Sequence, residues 1–336
     1  MPHPATGAQY TLRAATPQGV ATATVTAVAA GLREYALNGI DLVEGFAVDA
    51  VPPLGAGIVL MPWPNRIRDG VWQHGDHPRR LALTEPVLQN AIHGLLTATA
   101  YQLVEQTDAS VTLAATVYPQ SGYPFQLDTT VTYTLGADGL TVRHGIHNVG
   151  GSAAPVALGT HPYLKIGDVP TGDLLLRLAV GTHIDVDARL NPVGESPVAG
   201  SRFDLGAGAR VHDLDLDDAF TATAGPTGRH EHSLTAPDGR RVVLWGDQNM
   251  AYVQVFTPRN FPVRSPSERT TAPSLAPDLG NPADAANPTA PFGQAVAIEP
   301  MTAPANAFNS GQGLRWLEPG ESWTVDWGIT PTGFAG

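Results

Sequence analysis

The sequence predicts an all-β protein built from antiparallel sheets that pack face to face. The chain of 336 residues contains 36 glycines and 30 prolines, and only 15% of its residues are charged. This composition disfavours long helices and favours many short strands joined by tight turns. No segment longer than about a dozen residues shows a convincing 3.6-residue apolar period, whereas period-two alternation recurs from end to end.

Alternation of apolar and polar residues predicts the individual strands. Two further segments, residues 111–117 and 173–180, are more uniformly apolar and predict strands that are more fully buried. Turn sequences at residues 137–139, 237–239 and 318–320 separate neighbouring strands. The clearest alternating segments are residues 129–135, 140–147, 241–245 and 322–329.

We expect residues 1–336 to form a single domain that contains one long excursion. Residues 259–294 are rich in Pro, Ala, Ser and Asp and have few large apolar side chains. Such a segment buries too little surface to offset the entropy of ordering it. It would connect strands expected at residues 251–257 and 295–299. A loop of this length is either disordered or a functional lid, and its composition favours disorder or loose packing.

Composition and charge exclude several classes of protein. A formal net charge of −12 weighs against nucleic acid or an anionic membrane as partner. The chain has no cysteine, which rules out disulfides and thiolate metal sites. No apolar run is long enough to span a membrane, and residues 1–13 lack the pattern of a secretory signal. We therefore expect a cytoplasmic protein.

Two proline-flanked segments supply a candidate acid and a candidate base. His161 lies at the expected end of a strand, just before Pro162, and Tyr163 offers an apolar face on which a sugar ring could stack. Glu299 ends an apolar strand on the face that it shares with Ala295 and Ala297. Small neighbours would leave open space for a ligand, and desolvation would raise the pKa of the carboxyl. The alternative for Glu299 is a structural salt bridge.

Two other segments add a cation and a second histidine. Arg66 follows a pair of prolines. It is interpreted either as a donor of paired hydrogen bonds to a polar ligand or as the structural partner of Asp69 or another loop carboxylate. His93 precedes Gly94, which permits a tight turn or a close approach to a ligand. A lone histidine in such a place is more often structural.

Two polar residues on or near expected strands are further candidates. Gln254 lies between Tyr252 and Phe256 on one face of its strand, where it can donate hydrogen bonds above an aromatic floor. Asp217 belongs to an acidic run and lies opposite the face of Leu216, so it could point into a polar groove. Acidic runs are usually solvated surface, and this alternative stays open.

These segments, taken in order, resemble the motifs of the aldose 1-epimerases, which are the galactose mutarotase family. The resemblance extends over residues 11–329, nearly the whole chain. Segments 306–309 and 317–321 also fit the family. The motifs that carry it are residues 62–67 (PWPNRI), 90–95 (NAIHGL), 159–163 (GTHPY), 217–220 (DDAF), 253–258 (VQVFTP) and 298–302 (IEPMT).

The resemblance implies a large antiparallel β-supersandwich with an open sugar-binding cleft. It implies that Glu299 is the general base, that His161 is the general acid and that His93 assists at the ring oxygen. The reaction of the family opens and recloses a free aldohexose and interconverts its α and β anomers. Because the catalytic task is proton transfer at two oxygens while the ring bond opens and recloses, the resemblance implies neither a metal nor another cofactor.

The resemblance also assigns residues to the sugar hydroxyls. Asp218 is an alternative to its neighbour in the acidic motif. Leu164 stands where a phenylalanine is common in the family, which would alter the cleft wall, and the excursion at residues 259–294 is longer than the family pattern. The residues implied to bind sugar are Arg66, Asp217 and Gln254, with Asn65 and Tyr163 as further candidates from the matching motifs.

Three other functions remain as alternatives. A carbohydrate-binding protein without catalysis would use the same cleft. A hexose-6-phosphate 1-epimerase would need extra positive charge, from Arg68 or Lys165. A zinc hydrolase would need His93, His161 and Glu299 as ligands, without the helical motif that usually builds such a site. In each case we expect a small-molecule ligand, a monosaccharide in the leading interpretation, and the sequence leaves monomer and dimer open.

Overall fold

Strands are the main regular secondary structure, in a computed structural model that describes residues 4–262 and 292–334. Helical structure within these ranges is limited to short 3-10 turns at Pro53–Gly55, Thr171–Asp173 and Val211–Asp213 and the helix α1 (Ala307–Ser310). The prediction of an all-β protein is confirmed. In chain order the strands are β1 (Gln9–Thr16), β2 (Gly19–Thr26), β3 (Leu32–Leu37), β4 (Ile40–Asp41), β5 (Val59–Leu60), β6 (Arg66–Arg68), β7 (Val71–His74), β8 (His77–Arg80), β9 (Asn90–Ile92), β10 (Gln102–Gln106), β11 (Ser110–Val117), β12 (Leu127–Gly136), β13 (Gly139–Asn148), β14 (Ala154–Val156), β15 (Gly159–Thr160), β16 (Leu175–Arg177), β17 (Val180–Val186), β18 (Pro192–Pro197), β19 (Ala209–Arg210), β20 (Asp217–Ala222), β21 (His230–Thr235), β22 (Arg241–Gly246), β23 (Tyr252–Phe256), β24 (Phe261–Pro262), β25 (Phe292–Gly293), β26 (Ala297–Met301), β27 (Arg315–Leu317) and β28 (Ser322–Thr332).

Two large antiparallel sheets dominate the architecture. The nine-stranded sheet has the order β10-β11-β12-β13-β28-β22-β21-β16-β19, and the seven-stranded sheet has the order β18-β17-β20-β23-β26-β15-β5. A four-stranded sheet, β1-β2-β3-β4, and the two-stranded ribbons β6-β9, β7-β8, β14-β27 and β24-β25 complete the described structure.

The hydrophobic core lies between the two large sheets. One continuous cluster of buried side chains includes Val142 and Trp327 from the nine-stranded sheet and Phe220, Val253 and Ile298 from the seven-stranded sheet. Because side chains alternate between the faces of a strand, the opposite face of the seven-stranded sheet is left to carry polar groups.

The alternating segments of the sequence form the strands that they predict. β12 contains residues 129–135 and follows a nearly regular pattern, in which buried Val131 and Tyr133 alternate with more exposed threonines. β13, β22 and β28 likewise contain the other three predicted segments. In β12 the local pattern therefore determines which face enters the core, whereas β22 is buried on both faces.

The two segments predicted as more fully buried strands differ from that expectation. Residues 111–117 form β11, but its buried residues alternate with half-buried ones. Residues 173–180 do not form one strand. They contain the end of a 3-10 turn and β16, and β17 begins only at Val180. Here the chain leaves the nine-stranded sheet and enters the seven-stranded sheet, so a single apolar run serves both sheets.

The ends of the excursion at residues 259–294 are ordered. β24 pairs with β25 at their base, and Phe261 is fully buried against Tyr163. Arg259 donates hydrogen bonds to the backbone carbonyls of His212 and Leu214. The prediction of disorder or of a lid concerns residues 263–291, which lie outside the described residues. Among the described residues, no helix has the length and apolar character needed to span a bilayer.

Candidate active site

The polar face of the seven-stranded sheet carries three of the candidate residues. β20, β23 and β26 are neighbours in this sheet, and Gln254 lies directly opposite Glu299 in the register. Asp217, opposite Phe256, is two register positions further along and is therefore on the same face. Residues far apart in the sequence are thus brought together by antiparallel pairing.

The segment that carries His161 runs beside the strand of Glu299. β15 ends at Thr160, and the following residues remain hydrogen-bonded to β26, since the Ile298 amide donates to the Pro162 carbonyl at 3.2 Å. The backbone of His161 is also held by residues 57–58, at 3.1 Å and 2.8 Å. Both groups of the predicted acid–base pair are therefore on rigid backbone.

His161 and Glu299 are in direct contact. The distance between His161 Nε2 and Glu299 Oε1 is 3.3 Å, and only 5% of His161 and 2% of Glu299 are exposed. Glu299 Oε2, His161 Nδ1 and the Thr160 hydroxyl are buried without a hydrogen-bond partner among the described residues. Unpaired buried polar groups are rare in native structures, so a cluster of them points to a ligand.

His93 completes the group of titratable side chains. Its ring centre lies 5.6 Å from that of His161, nearly perpendicular to it. The Asn65 amide donates to His93 Nδ1 at 3.2 Å, and the His93 amide donates to the Asn65 carbonyl at 3.0 Å. The ring nitrogen Nδ1 is thus an acceptor, which leaves Nε2 as the donor of the neutral ring.

The side-chain amide of Gln254 links the sheet to the loop of Asn65. Gln254 Nε2 donates to Asp217 Oδ1 at 2.6 Å, and Gln254 Oε1 accepts from Asn65 Nδ2 at 3.0 Å. Asn65 Oδ1 in turn accepts from the Arg66 amide at 2.8 Å. One amide orientation therefore satisfies the whole chain of contacts, and each member holds its neighbour in place.

Arg66 is flanked by two carboxylates. Its Nε and Nη2 form a bidentate pair with Glu85 at distances of 2.9–3.1 Å, and Nη2 lies 3.7 Å from Asp217 Oδ2. The two interpretations of Arg66 are thus combined, because a loop carboxylate binds one edge while the guanidinium still faces the polar cluster. Asp69 pairs instead with Arg189, at 2.7 Å.

Burial shifts the pKa values of the acid–base pair in opposite directions. Desolvation raises the pKa of Glu299 well above its ordinary value, with a contribution from the charge of Asp217 and an opposing one from Arg66. Desolvation lowers the pKa of His161 to about 4 and places that of His93 well below 6.5. Paired groups whose environments separate their pKa values are typical of acid–base sites.

Two expectations about the walls of the site are wrong. Tyr163 is only 1% exposed, and its ring stacks on His161 and packs against Phe261, so it offers no face to a ligand. Ala295 and Ala297 do not leave open space, because both are fully buried against this aromatic group. The face of β26 next to Glu299 is therefore filled by residues that sequence position alone did not bring near it.

The acidic run contributes one residue to the site. Asp217 joins Gln254 and Arg66, whereas Asp218 lies on the other face of β20 and pairs with His183 Nε2 at 2.8 Å. The two cations proposed for a phosphate group are both paired elsewhere. Arg68 lies 3.3 Å from Asp187, and Lys165 lies 2.9 Å from the buried Glu44.

Sequence reasoning missed one member of the cluster. Glu85 forms the strongest contact of Arg66 in the described structure, yet its only local signal is a carboxylate between Thr84 and Pro86 in an expected loop. A cavity of about 930 Å³ is lined by Glu44, Lys165 and other residues, but by none of the residues implied to bind the sugar or to transfer protons. Within residues 4–262 and 292–334, no three His, Asp or Glu side chains converge to hold a metal ion.

Comparisons with known proteins show the family of the chain. The sequence model of the aldose 1-epimerase family matches residues 17–330. The chain belongs to the aldose 1-epimerase family. The uncharacterized protein YihR of Escherichia coli (strain K12) is 32% identical over 301 residues, which cover 89% of this chain and 86% of YihR. Human galactose mutarotase is 34% identical over 90 residues, or 26% of each protein.

Solved structures share the fold of this aldose 1-epimerase family member at low identity. A GalM/aldose epimerase homologue from C. elegans superimposes with a TM-score of 0.76 at 18% identity, and covers 96% of this chain and 99% of its own. Galactose 1-epimerase from Lactobacillus acidophilus NCFM gives 0.70 at 18% identity, with coverage of 96% and 99%. The expected galactose mutarotase-like sandwich is therefore confirmed.

Proposed function

We propose that this protein is an aldose 1-epimerase that interconverts the α and β anomers of a free aldohexose. The observation that carries the proposal is the buried contact of 3.3 Å between His161 Nε2 and Glu299 Oε1. Membership of the family supports the reaction class. The task needs proton transfer at two oxygens of one small molecule, and a contiguous acid and base suit it.

The reaction follows from the two groups. The C1 hydroxyl of the sugar loses a proton to Glu299 while His161 gives a proton to the ring oxygen. The C1–O5 bond then opens, and rotation about C1–C2 presents the other face of the aldehyde. Reclosure reverses both proton transfers. His93, in edge contact with the ring of His161, assists at the ring oxygen as a neutral hydrogen-bond donor.

These roles require one proton on the pair. The pKa directions place that proton on Glu299, because His161 has a pKa of about 4 and that of Glu299 is raised. The reacting arrangement holds the same proton on His161. The two arrangements differ by one proton transfer across a contact of 3.3 Å, so the groups titrate as a coupled pair. We infer that sugar hydroxyls entering the site favour the transfer, since they solvate the carboxylate that it creates.

The remaining polar groups serve to hold the sugar. Arg66 donates to hydroxyls, Asp217 accepts from them, and Gln254 does both with the donor and acceptor positions left by its protein contacts. Asn65 contributes through the orientation of Gln254 and Arg66, with which it is hydrogen-bonded. We retain Tyr163 as a support for the His161 ring rather than as a sugar contact.

A free sugar is favoured over a sugar phosphate. Arg68 and Lys165 are each paired with a carboxylate, and Arg66 is already shared between Glu85 and Asp217. No described contact favours a sugar-binding protein without catalysis, because such a protein has no need of a desolvated carboxyl against a neutral histidine.

Polarimetry tests the proposal. Freshly dissolved α-D-glucose, α-D-galactose and α-D-glucose 6-phosphate are followed with and without the protein, in the presence of excess chelator. We expect the wild-type protein to speed the decay of rotation of a free hexose. The Glu299→Gln variant should lose nearly all of that acceleration. Asp326→Asn is the matched control, because it also replaces a carboxylate by an amide but breaks a pair with Arg143 that is remote from the site. Sugar binding without faster decay would contradict the proposal.

A further inference from the structure

Glu85 occupies a fixed place beside the sugar-binding candidates. It forms an isolated antiparallel bridge with Asn90, and the two residues exchange backbone hydrogen bonds at 3.0 and 3.1 Å. β9, which begins at Asn90, pairs with β6, which begins at Arg66. Glu85 therefore lies on a third strand-like segment, next to the ribbon that carries the arginine.

The carboxylate of Glu85 is itself held on more than one side. Oε2 accepts from Asn90 Nδ2 at 3.1 Å as well as from Arg66, and Asn90 Oδ1 accepts from Asn191 Nδ2 at 3.0 Å. Asn90 and Asn191 are fully buried, and only 16% of the Glu85 side chain is exposed. A charged pair with supporting hydrogen bonds in such a place is geometrically well defined.

The pair with Glu85 uses only some of the N–H donors of the Arg66 guanidinium. Of the donors of the guanidinium, Nε and one N–H of Nη2 are bound to Glu85. Among the described residues, Nη1 has only a long contact of 3.5 Å with Asn65 Oδ1, and Nη2 lies 3.7 Å from Asp217. The donors that remain thus face Asn65 and Asp217. Both of these residues are hydrogen-bonded to Gln254, which lies opposite Glu299 in the sheet.

A second consequence concerns charge. With Glu85 present, Arg66 stops short of a close pair with Asp217, at 3.7 Å instead of the 2.9 Å that it has to Glu85. Without that competing carboxylate, a buried guanidinium would close on Asp217 or Glu299, because an unpaired buried charge is costly. Closure would consume the acceptor that a sugar hydroxyl needs.

We propose that Glu85 is a positioning residue of the sugar site: it holds Arg66 by a bidentate pair so that the free donors of the arginine, and the carboxylate of Asp217, stay open to ring hydroxyls. This role rests on the proposed function where it is tested by enzyme kinetics. The placement of the Arg66 side chain is independent of that function.

Kinetics of Glu85→Gln test the proposal. We expect KM for the preferred aldose to rise about 10- to 100-fold, the size typical of a misplaced binding group, while kcat stays within about threefold. Glu85→Asp keeps the charge but shortens the reach, and should give an intermediate KM. Asp326→Asn, which breaks the bidentate pair with Arg143 away from the site, should match wild type.

A double variant separates positioning from a general structural role. If Glu85 acts through Arg66, then Arg66→Ala with Glu85→Gln should bind sugar no more weakly than Arg66→Ala alone. Full additivity of the two losses, or an unchanged KM in Glu85→Gln, would overturn the proposal.

Failure of the proposed function is distinguishable from failure of this inference. If the wild type accelerates no aldose, the first proposal fails, and the side-chain Nε–H signal of Arg66 in ¹⁵N NMR decides the second. A signal that is protected from exchange in wild type and in Asp326→Asn, but lost in Glu85→Gln, supports the clamp. A signal that persists in Glu85→Gln overturns it.

Discussion

Two buried histidines of this protein lie in surroundings that differ in one respect. His144 is in the nine-stranded sheet, 1% exposed, and its Nε2 accepts a hydrogen bond from Trp327 Nε1 at 2.9 Å. His161 is 5% exposed, contacts the carboxyl of Glu299, and has no partner for Nδ1 among the described residues. Burial lowers the pKa of both, to about 3 and about 4.

The comparison shows that a buried histidine with a shifted pKa is not by itself a sign of function. His144 is matched to a donor that never titrates, so its environment fixes one protonation state. His161 faces Glu299, a group whose pKa moves the other way, so a proton can pass between them. The opposed shifts in contact are what distinguish the candidate active site from the core.

Replacing Glu299 should have the largest effect on activity. Glu299→Gln keeps the shape but removes the base, and should lower kcat by roughly 10²–10⁴, on the order of 3–5 kcal/mol of barrier. His144→Gln keeps an acceptor for Trp327 and should leave kcat within about threefold, as judged by polarimetry. Equal losses in both variants would remove the contrast between the two regions.

The Glu299→Gln variant should also be more stable than wild type at alkaline pH. Because the pKa of Glu299 is raised in the folded state, folding favours its protonated form, and stability falls as pH rises through the folded pKa. An amide does not titrate. We expect a higher Tm for Glu299→Gln at pH 8 and a smaller difference at pH 5; a lower Tm at pH 8 would contradict the desolvation argument.

Acid should destabilise both histidine regions alike. The folded pKa values of His161 and His144 lie below the ordinary 6.5. Their contribution to the free energy of unfolding is therefore complete above pH 6.5 and is lost as pH falls toward 4. Each should reduce the free energy of unfolding by roughly 3 kcal/mol over that interval. Urea unfolding at pH 7 and pH 4.5 measures the loss, and His144→Gln should diminish it. If the free energy of unfolding of His144→Gln depended on pH as that of wild type does, the lowered pKa of His144 would be contradicted.

Arg66→Ala should act on sugar binding more than on the chemical step. Loss of the donor should raise KM about 10- to 100-fold, and kcat should change less. Steady-state polarimetry over a range of sugar concentrations separates the two. A change confined to kcat would place Arg66 in the acid–base chemistry instead.

The smallest effect is expected for the hydroxyl of Tyr163. Within the described part of the chain it donates only to the Leu54 carbonyl, at 3.2 Å, while its ring supports His161. Tyr163→Phe should cost roughly 1 kcal/mol of stability or less and leave KM within about threefold. A tenfold rise in KM would mean that the hydroxyl reaches the sugar after all.

Much of the fold was predictable because the pattern of apolar and polar residues within a strand indicates which of its side chains are buried. Alternation in β12 and β28 is a local property of the chain, and it correctly gave the face that enters the core. Residues 173–180 were misread because a passage between two sheets leaves no mark on an apolar run. Periodicity reports that a residue is buried, but it does not report against what.

The same limit applies to the site. His161 and Glu299 were predicted from titratable groups beside prolines and from their place in ordered motifs, and the register of β26 brings them together. Glu85 was not predicted, since its role exists only through Arg66. The burial of Tyr163 was missed because Phe261, which covers it, lies 98 residues further along the chain.

The amino-acid order alone determined the class of fold, the family and the chemical types available for proton transfer, because composition, alternation and motif order are properties of short stretches. Tertiary structure decided which of those groups meet. Gln254 and Asn65, which share a hydrogen bond across a separation of 189 residues, are one example. Contacts of this kind depend on how sheets pair and stack, and desolvation, which shifts the pKa values of the pair, exists only once that packing has removed water.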